Sequence, residues 1–390
     1  VALPLSYNWR NLFVRKLSTA LTFTVVAVVV LVLAVLLSFA AGIRASLART
    51  GSPGNVLVIK PGATSESTSF LLPEEVARLL QTPGLARGKD GRMLLSQEMY
   101  VQTSIPRRHN GGNMANVAVR GVDDTAFDVH EDVRILEGRR FRQGTLEIIV
   151  GRAARERYQN LRIGSEVGMG RLGDRKFRVV GVFEAGGGAL ESEIWAPRTI
   201  LSDSYHRRFA SSAALRLSGP EWVPAAVSYI NGPTVQLEAR RETDYYRELA
   251  AKTREIVVLT TILIAIMGVG AVFAVANTMY AAVDGRRREI AMLRTIGFNR
   301  RSIMLAFVIE SLLVTTLACA CGLAASLLVS GSRQDYLSDV TWTVLAYELR
   351  VTPGIAAAAL AVSTLVGICG ALAPAVRASR TRVIEALRKA

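Results

Sequence analysis

The sequence predicts a membrane protein with four transmembrane α-helices and an α+β extracytoplasmic domain between the first and second. Three observations predict it. First, the 390 residues are 50% hydrophobic, and the apolar ones concentrate in four stretches: Leu21 to Ile43, Ile256 to Val283, Ile303 to Val329 and Ile355 to Val376. A bilayer core about 30 Å thick takes about 20 helical residues to cross, and each stretch is long enough. Second, the long segment between the first two stretches alternates short β-branched runs with turns.

The third observation is where the basic residues fall. Arg10, Arg15 and Lys16 precede the first stretch; Arg286, Arg287, Arg288, Arg294, Arg300 and Arg301 lie between the second and third; Arg377, Arg380, Arg382, Arg388 and Lys389 follow the fourth. The positive-inside rule then expects both termini and the 284–302 loop in the cytoplasm. Arg44 and Arg49 run against it locally. A net charge of +15 would suit a nucleic-acid partner in a soluble chain. Here its placement fits anionic lipid, and no nucleic acid is expected.

In chain order, residues 1–18 mix Trp9, Leu12, Phe13 and Leu17 with basic residues, which predicts an amphipathic helix at the cytoplasmic interface. The first span follows over 19–47. A signal peptide would carry only about 7–15 apolar residues, so an uncleaved anchor is expected. Residues 48–242 form the external domain. "NVLVIKPG", "NVAVRGVD", "LEIIVG" and "KFRVVGVFE" read as strands. "LPEEVARLLQTPG" reads as a helix from Pro73 to Gly84. Two subdomains would fit, with no marked boundary.

Residues 243–283 pass from polar to apolar without a break, which predicts a stalk helix running into the second span. A cytoplasmic loop (284–302), third span (303–330), external loop (331–353), fourth span (354–377) and tail (378–390) complete the chain. Cys319, Cys321 and Cys369 all fall in spans and read as small apolar fillers, so the external domain folds without disulfides.

Enzyme chemistry finds little support. "GMGRLG" matches GxGxxG, but the strand-like "DRKFRVVGVFE" follows where a dinucleotide site needs a helix, so a β-hairpin is expected. "GLARGKD" lacks P-loop spacing. His109, His130 and His206 form no HExxH, and no metal site or catalytic residue is predicted. Glu310 is the one ionisable residue within a span core. It reads either as an inter-helix bond, a mechanical latch, or as a group near enough to the cytoplasmic face to stay hydrated.

"RRREIAMLRTIGFNRR", residues 286 to 301, predicts a short helix to Ile296, a cap at Gly297, and a new helix from Asn299 or Ser302. Ile290, Leu293 and Ile296 recur every three residues, with Met292 beside them. Headgroup contacts, worth about 1 kcal/mol per arginine, would account for Arg286, Arg287 and Arg288. They do not account for the apolar face or the fixed turn. A cytoplasmic partner with a matching groove would.

At this stretch, continued as "SIMLAFVIESLLV", the chain resembles the MacB/FtsX-type permeases of ABC transporters. "APAVRASRTRVIEALR" resembles their closing motif, and "NWRNLFVRKLSTALT", "GRRFRQG" and "RVVGVFE" resemble their first span and periplasmic domain. The resemblance implies a multi-pass protein of the bacterial inner membrane that pairs with a second copy or paralogue. It implies an ABC ATPase docked on Arg288, Glu289, Ile290, Met292, Leu293, Arg294, Ile296 and Gly297. With about 16 residues before the first span, the ATPase is expected on a separate chain, as in DevC-like and LolC/LolE-like systems. ATP and Mg would sit on that ATPase, and no cofactor on this chain. A periplasmic adaptor and an outer-membrane channel are further partners the resemblance admits. The implied function is mechanotransmission: ATP-driven motion of the external domain that exports or extracts a substrate. The alternative is an FtsX-like transmitter that activates an external enzyme without transport. Substrate identity is not legible.

Overall fold

The structure, a computed structural model, describes residues 16–108, 113–171, 173, 175–251, 254–331, 333–337 and 344–380. The interfacial helix expected before the first span and tail residues 381–390 lie outside these. The helices are α1 (Lys16–Ala48), α2 (Pro73–Leu79), α3 (Ala126–Val129), α4 (Arg152–Arg157), α5 (Arg198–Tyr205) and α6 (Val223–Asn231). They continue with α7 (Glu242–Ala251), α8 (Arg254–Gly285), α9 (Arg287–Thr295), α10 (Arg300–Leu327) and α11 (Pro353–Ser379). The chain divides into a helical unit (1–41, 254–332 and 349–390) and a sheet unit (42–253 and 333–348).

In the helical unit, α1, α8, α10 and α11 are each long and apolar enough to cross a membrane. Even the shortest, at 27 residues, extends about 40 Å at 1.5 Å per residue, more than a bilayer core. Lipid gives such helices no hydrophobic reason to associate, so close packing and polar bonds must hold them. Both are present. A Cβ on Gly322 would lie 2.5 Å from the Ala27 carbonyl oxygen of α1, and one on Gly370 would lie 2.7 Å from Val275 of α8. The Ser311 hydroxyl donates to the Gly367 carbonyl at 2.9 Å, and Ser363 donates to that of Thr315 at 2.7 Å. Cys319 is buried among these helices, as a filler would be.

The sheet unit is built on one ten-stranded mixed sheet. Its strands are β1 (Asn55–Ile59), β2 (Leu95–Pro106), β3 (Met114–Val122), β4 (Val133–Gly138) and β5 (Glu147–Gly151). β6 (Glu166–Met169), β7 (Arg175–Ala185), β8 (Ile194–Pro197), β9 (Ser212–Arg216) and β10 (Glu238–Arg241) follow. They order as β10-β1-β9-β2-β3-β8-β5-β7-β4, with β6 also on β7. β3–β8 and β5–β7 are parallel; the other pairs are antiparallel. The four runs expected as strands are β1, β3, β5 and β7. β5 explains its unbroken apolar sequence: Ile148 and Val150 enter one core and Ile149 enters the core on the opposite face, as a period of two requires. Among the described residues the sheet runs through the unit without interruption.

Three expectations need correction or delimiting. α2 begins at Pro73 but stops at Leu79; Gly84 serves a later turn, with φ +74° and Trp222 so close that a Cβ would lie 2.4 Å from its ring. The 331–353 segment is not a plain loop. It carries a hairpin, β11 (Arg333–Leu337) on β12 (Val344–Glu348), that belongs to the sheet unit. The stalk is helical on both sides of Lys252 and Thr253, but its continuity at those two positions lies outside the described residues. In "GMGRLG", Gly168 and Met169 end β6, Gly170 and Gly173 have positive φ, and strand β7 follows rather than a helix.

Candidate functional site

α9 is short because it is terminated chemically. Gly297, at φ +104°, follows the last turn and donates to the Arg294 carbonyl at 3.2 Å, while the Phe298 N–H donates to that of Leu293 at 3.1 Å. This pair of bonds is a Schellman motif, and it needs the left-handed residue that glycine supplies. Asn299 then opens α10 in extended backbone.

Three contacts fix α9 to the helical unit. At its N-terminus Arg286 is buried, and its Nη1 donates to Glu310 Oε2 of α10 at 2.8 Å, both side chains 9% exposed. In the middle, Ile290 (2% exposed) joins the core of the helical unit and Ala291 is buried beside it. Near its C-terminus Arg294 Nη1 donates to the Ser379 carbonyl of α11 at 3.1 Å. The opposite side carries Arg288, Glu289, Met292 (51% exposed) and Ile296 (76% exposed). Arg287 reaches back to Asp284 at 2.8 Å. The result is a helix held rigidly by one face, with two large apolar side chains and charged groups on the other.

A second cluster lies inside the sheet unit. Arg120 of β3 is 1% exposed and meets three carboxylates: Glu66 at 2.7 Å, Glu98 at 2.5 Å and Glu193 at 2.7 Å. Ser212 donates to Glu66 and the Trp195 indole donates to Glu193. Glu98 also meets His130 Nε2 at 2.7 Å, and His130 Nδ1 lies 3.5 Å from Glu242. Buried charge is tolerated only when paired and hydrogen-bonded, and here each member leans on the next. Burial works against the His130 cation, but Glu98 and Glu242 outweigh it and raise its pKa to about 9. Burial likewise opposes the Glu98 anion, yet His130 and Arg120 hold that carboxyl at about 2. At Glu193 burial prevails over the guanidinium, and the pKa rises. Among the described residues, no group of His, Cys, Asp or Glu is arranged to hold a metal.

Residues 19–232 match the family described as MacB-like periplasmic core domain, and residues 261–383 match FtsX-like permease C-terminal. The chain belongs to the MacB/FtsX-type permease family. Among its relatives, the macrolide export ATP-binding/permease protein MacB 1/2 of Paracoccus denitrificans is 26% identical over 86% of this chain and 50% of its own length. MacB of Burkholderia orbicola is 24% identical over 99% of this chain and 58% of its own length. The permease therefore spans about half the length of the curated relatives it matches. Two solved domains are also similar. The periplasmic region of MacB from Actinobacillus actinomycetemcomitans is 11% identical with TM-score 0.37, covering 52% of this chain and 94% of that one. The extracellular domain of the ABC-type transporter YknZ from Gram-positive bacteria is 17% identical with TM-score 0.33, covering 45% and 91%.

With four helices of membrane-spanning length, the permease is a multi-pass membrane protein. Its structure sorts the expected coupling residues by face. Met292, Ile296, Arg288 and Glu289 are exposed, Leu293 and Arg294 are half-buried, and Gly297 makes the turn. Ile290, expected on the docking face, is an anchor instead, because it is packed into the chain's own core. Arg286, expected against lipid headgroups, is buried on Glu310, which makes the side-chain bond one of the readings of Glu310. The Arg120 cluster was not anticipated. Its one sequence signal is charge inside strand-like runs, Arg120 in "NVAVRGVD" and Glu98 in "LSQEMYV".

Proposed function

We propose that this permease converts ATP binding and hydrolysis on an ABC ATPase into motion of its sheet unit, driving export or membrane extraction of a substrate. The observation that supports this most is α9, anchored at both ends and in its middle while presenting Met292 and Ile296 outward. A helix so held passes on any displacement applied to its outer face. An ATPase groove that buries these two side chains, with Arg288 and Glu289 at its rim, is the expected docking partner, on the cytoplasmic side, with ATP and Mg held by the ATPase. A second permease copy or paralogue completes the pair, and an adaptor and outer-membrane channel would extend an export route. The curated relatives are named for macrolide export by proteins with both ATP-binding and permease parts, and a comparable apolar cargo is part of this proposal. The match to FtsX-like permeases favours, as the second reading, a transmitter that activates an external enzyme through the same docking helix.

Replacing Met292 and Ile296 together by Asp should release the ATPase, weakening capture at least ~100-fold by loss of two buried apolar side chains. Membrane insertion should be unchanged. Co-purification at the wild-type level would remove α9 from the interface. A second test separates docking from transmission. Two glycines inserted at Lys252 should keep the ATPase bound yet abolish transport, and undiminished transport would rule out a rigid stalk.

A further inference from the structure

The sheet unit receives the chain from α1 and returns it through α7, and one buried carboxylate touches both connections. Glu242, the first residue of α7, is 1% exposed. Its Oε2 accepts from the Ser52 N–H at 2.9 Å and from Asn55 Nδ2 at 2.9 Å, both just past the end of α1. Gly51 passes so close that a Cβ there would lie 2.8 Å from Glu242 Cγ, and its φ of +88° suits glycine. One step earlier, Thr50 receives the Ala189 N–H at 2.7 Å and donates to the Ser46 carbonyl at 3.0 Å, seating the end of α1. The other Glu242 oxygen has no hydrogen bond, and His130 Nδ1 lies 3.5 Å from it. His130 in turn binds Glu98 of β2, and Glu98 binds Arg120 of β3.

We infer that Glu242 and His130 are positioning residues that clamp both ends of the sheet unit's 42–253 segment to the Arg120 cluster, so that α7 and the sheet move as one body. The inference rests on the transmission reading for its purpose, though not for its geometry. Apolar packing could stabilise this region equally well. What hydrogen bonds add is direction: they tie two separate segments to a single point. The clamp needs the imidazolium, since a neutral ring donating from Nε2 to Glu98 would turn an unprotonated Nδ1 toward Glu242 Oε1. The groups facing His130 are Glu98 from β2, Glu242 from α7, Arg120 from β3 and the Trp195 ring from β8 at 5.7 Å.

The test is amide hydrogen exchange on the full chain in phosphatidylethanolamine–phosphatidylglycerol nanodiscs, without ATPase, for wild type, Glu242→Gln and His130→Gln. Each variant should speed exchange in residues 52–59 and 242–251 together, by about tenfold, while β5 and β7 stay protected. The ratio of His130→Gln to wild-type exchange, taken at equal pH, should fall towards one as pH rises past 9. Loosening of only one segment, equal loosening of β5 and β7, or a ratio independent of pH would each overturn the clamp. Because no ATPase is present, failure here is distinct from failure of the transmission reading, which the Lys252 insertion addresses.

Discussion

Replacing Arg286 by methionine is expected to destabilise the helical unit by about 3–5 kcal/mol, the usual effect of removing one partner from a buried ion pair. Glu310 would lose the guanidinium that lies 2.8 Å from its carboxylate. Glu310→Leu should cost a similar amount for the converse reason. The double variant should recover most of the loss, since both charges leave together and two apolar side chains take their place. Unfolding in detergent, followed by helical circular dichroism, reads all three. If the double variant is as unstable as the sum of the singles, the pair does not act as a unit. The functional corollary concerns α9, whose N-terminus this pair fixes. The single variants should also weaken coupling by letting that end move against α10.

The second large effect is expected at Arg120. Arg120→Met would strand Glu66 and Glu193 in a shared buried site and leave Glu98 only His130, and a loss of about 3–5 kcal/mol or more should follow. The pH dependence should also reverse. In the wild type, His130 has its pKa raised to about 9, so its contribution is full below about 6.5 and is lost as pH rises through 9. Glu98 is lowered to about 2, so its contribution is present above about 4.5 and is lost as pH falls through 2. The sheet-unit contribution is therefore expected to plateau between about pH 4.5 and 6.5, falling by about 3 kcal/mol by the alkaline end. In Arg120→Met, Glu66 and Glu193 lose their cation while Glu98 keeps His130, so acid should stabilise rather than destabilise the fold down to about pH 4. Melting temperatures of the full chain at pH 3 to 10 would check both profiles. A wild-type maximum above pH 8 would mean that His130 is buried neutral.

Some of this was readable before any coordinates. The end of α9 at Gly297 follows from short-range rules about which backbone angles each residue tolerates, and α10 starts at Asn299, one of the two positions those rules allow. The apolar face of α9 was harder. Ile290, Leu293 and Ile296 share a sequence spacing, yet Ile290 is buried and Ile296 is exposed. Six residues along a helix turn through more than one and a half revolutions, so an i, i+3, i+6 series drifts round the axis and leaves the face it began on. Arg286, in the non-helical link between α8 and α9, reaches Glu310, whereas Arg287 in the first turn of α9 reaches back to Asp284.

The sequence by itself determined the elements whose cause is local. Apolar run length against bilayer thickness sets four spans, β-branched runs between turns set β1, β3, β5 and β7, and a glycine at positive φ ends α9. The tertiary structure alone decided the pairings. Glu66, Glu98, Arg120, His130, Glu193 and Glu242 are spread across most of the sheet unit's sequence, and only the strand order β1-β9-β2-β3-β8 brings them together. It also decided that the 333–348 hairpin joins the sheet unit and that Arg286 turns inward. The physical reason is one of range. Periodicity and propensity report whether a residue is buried, but the partner a buried charge requires is chosen by topology, which no local window contains.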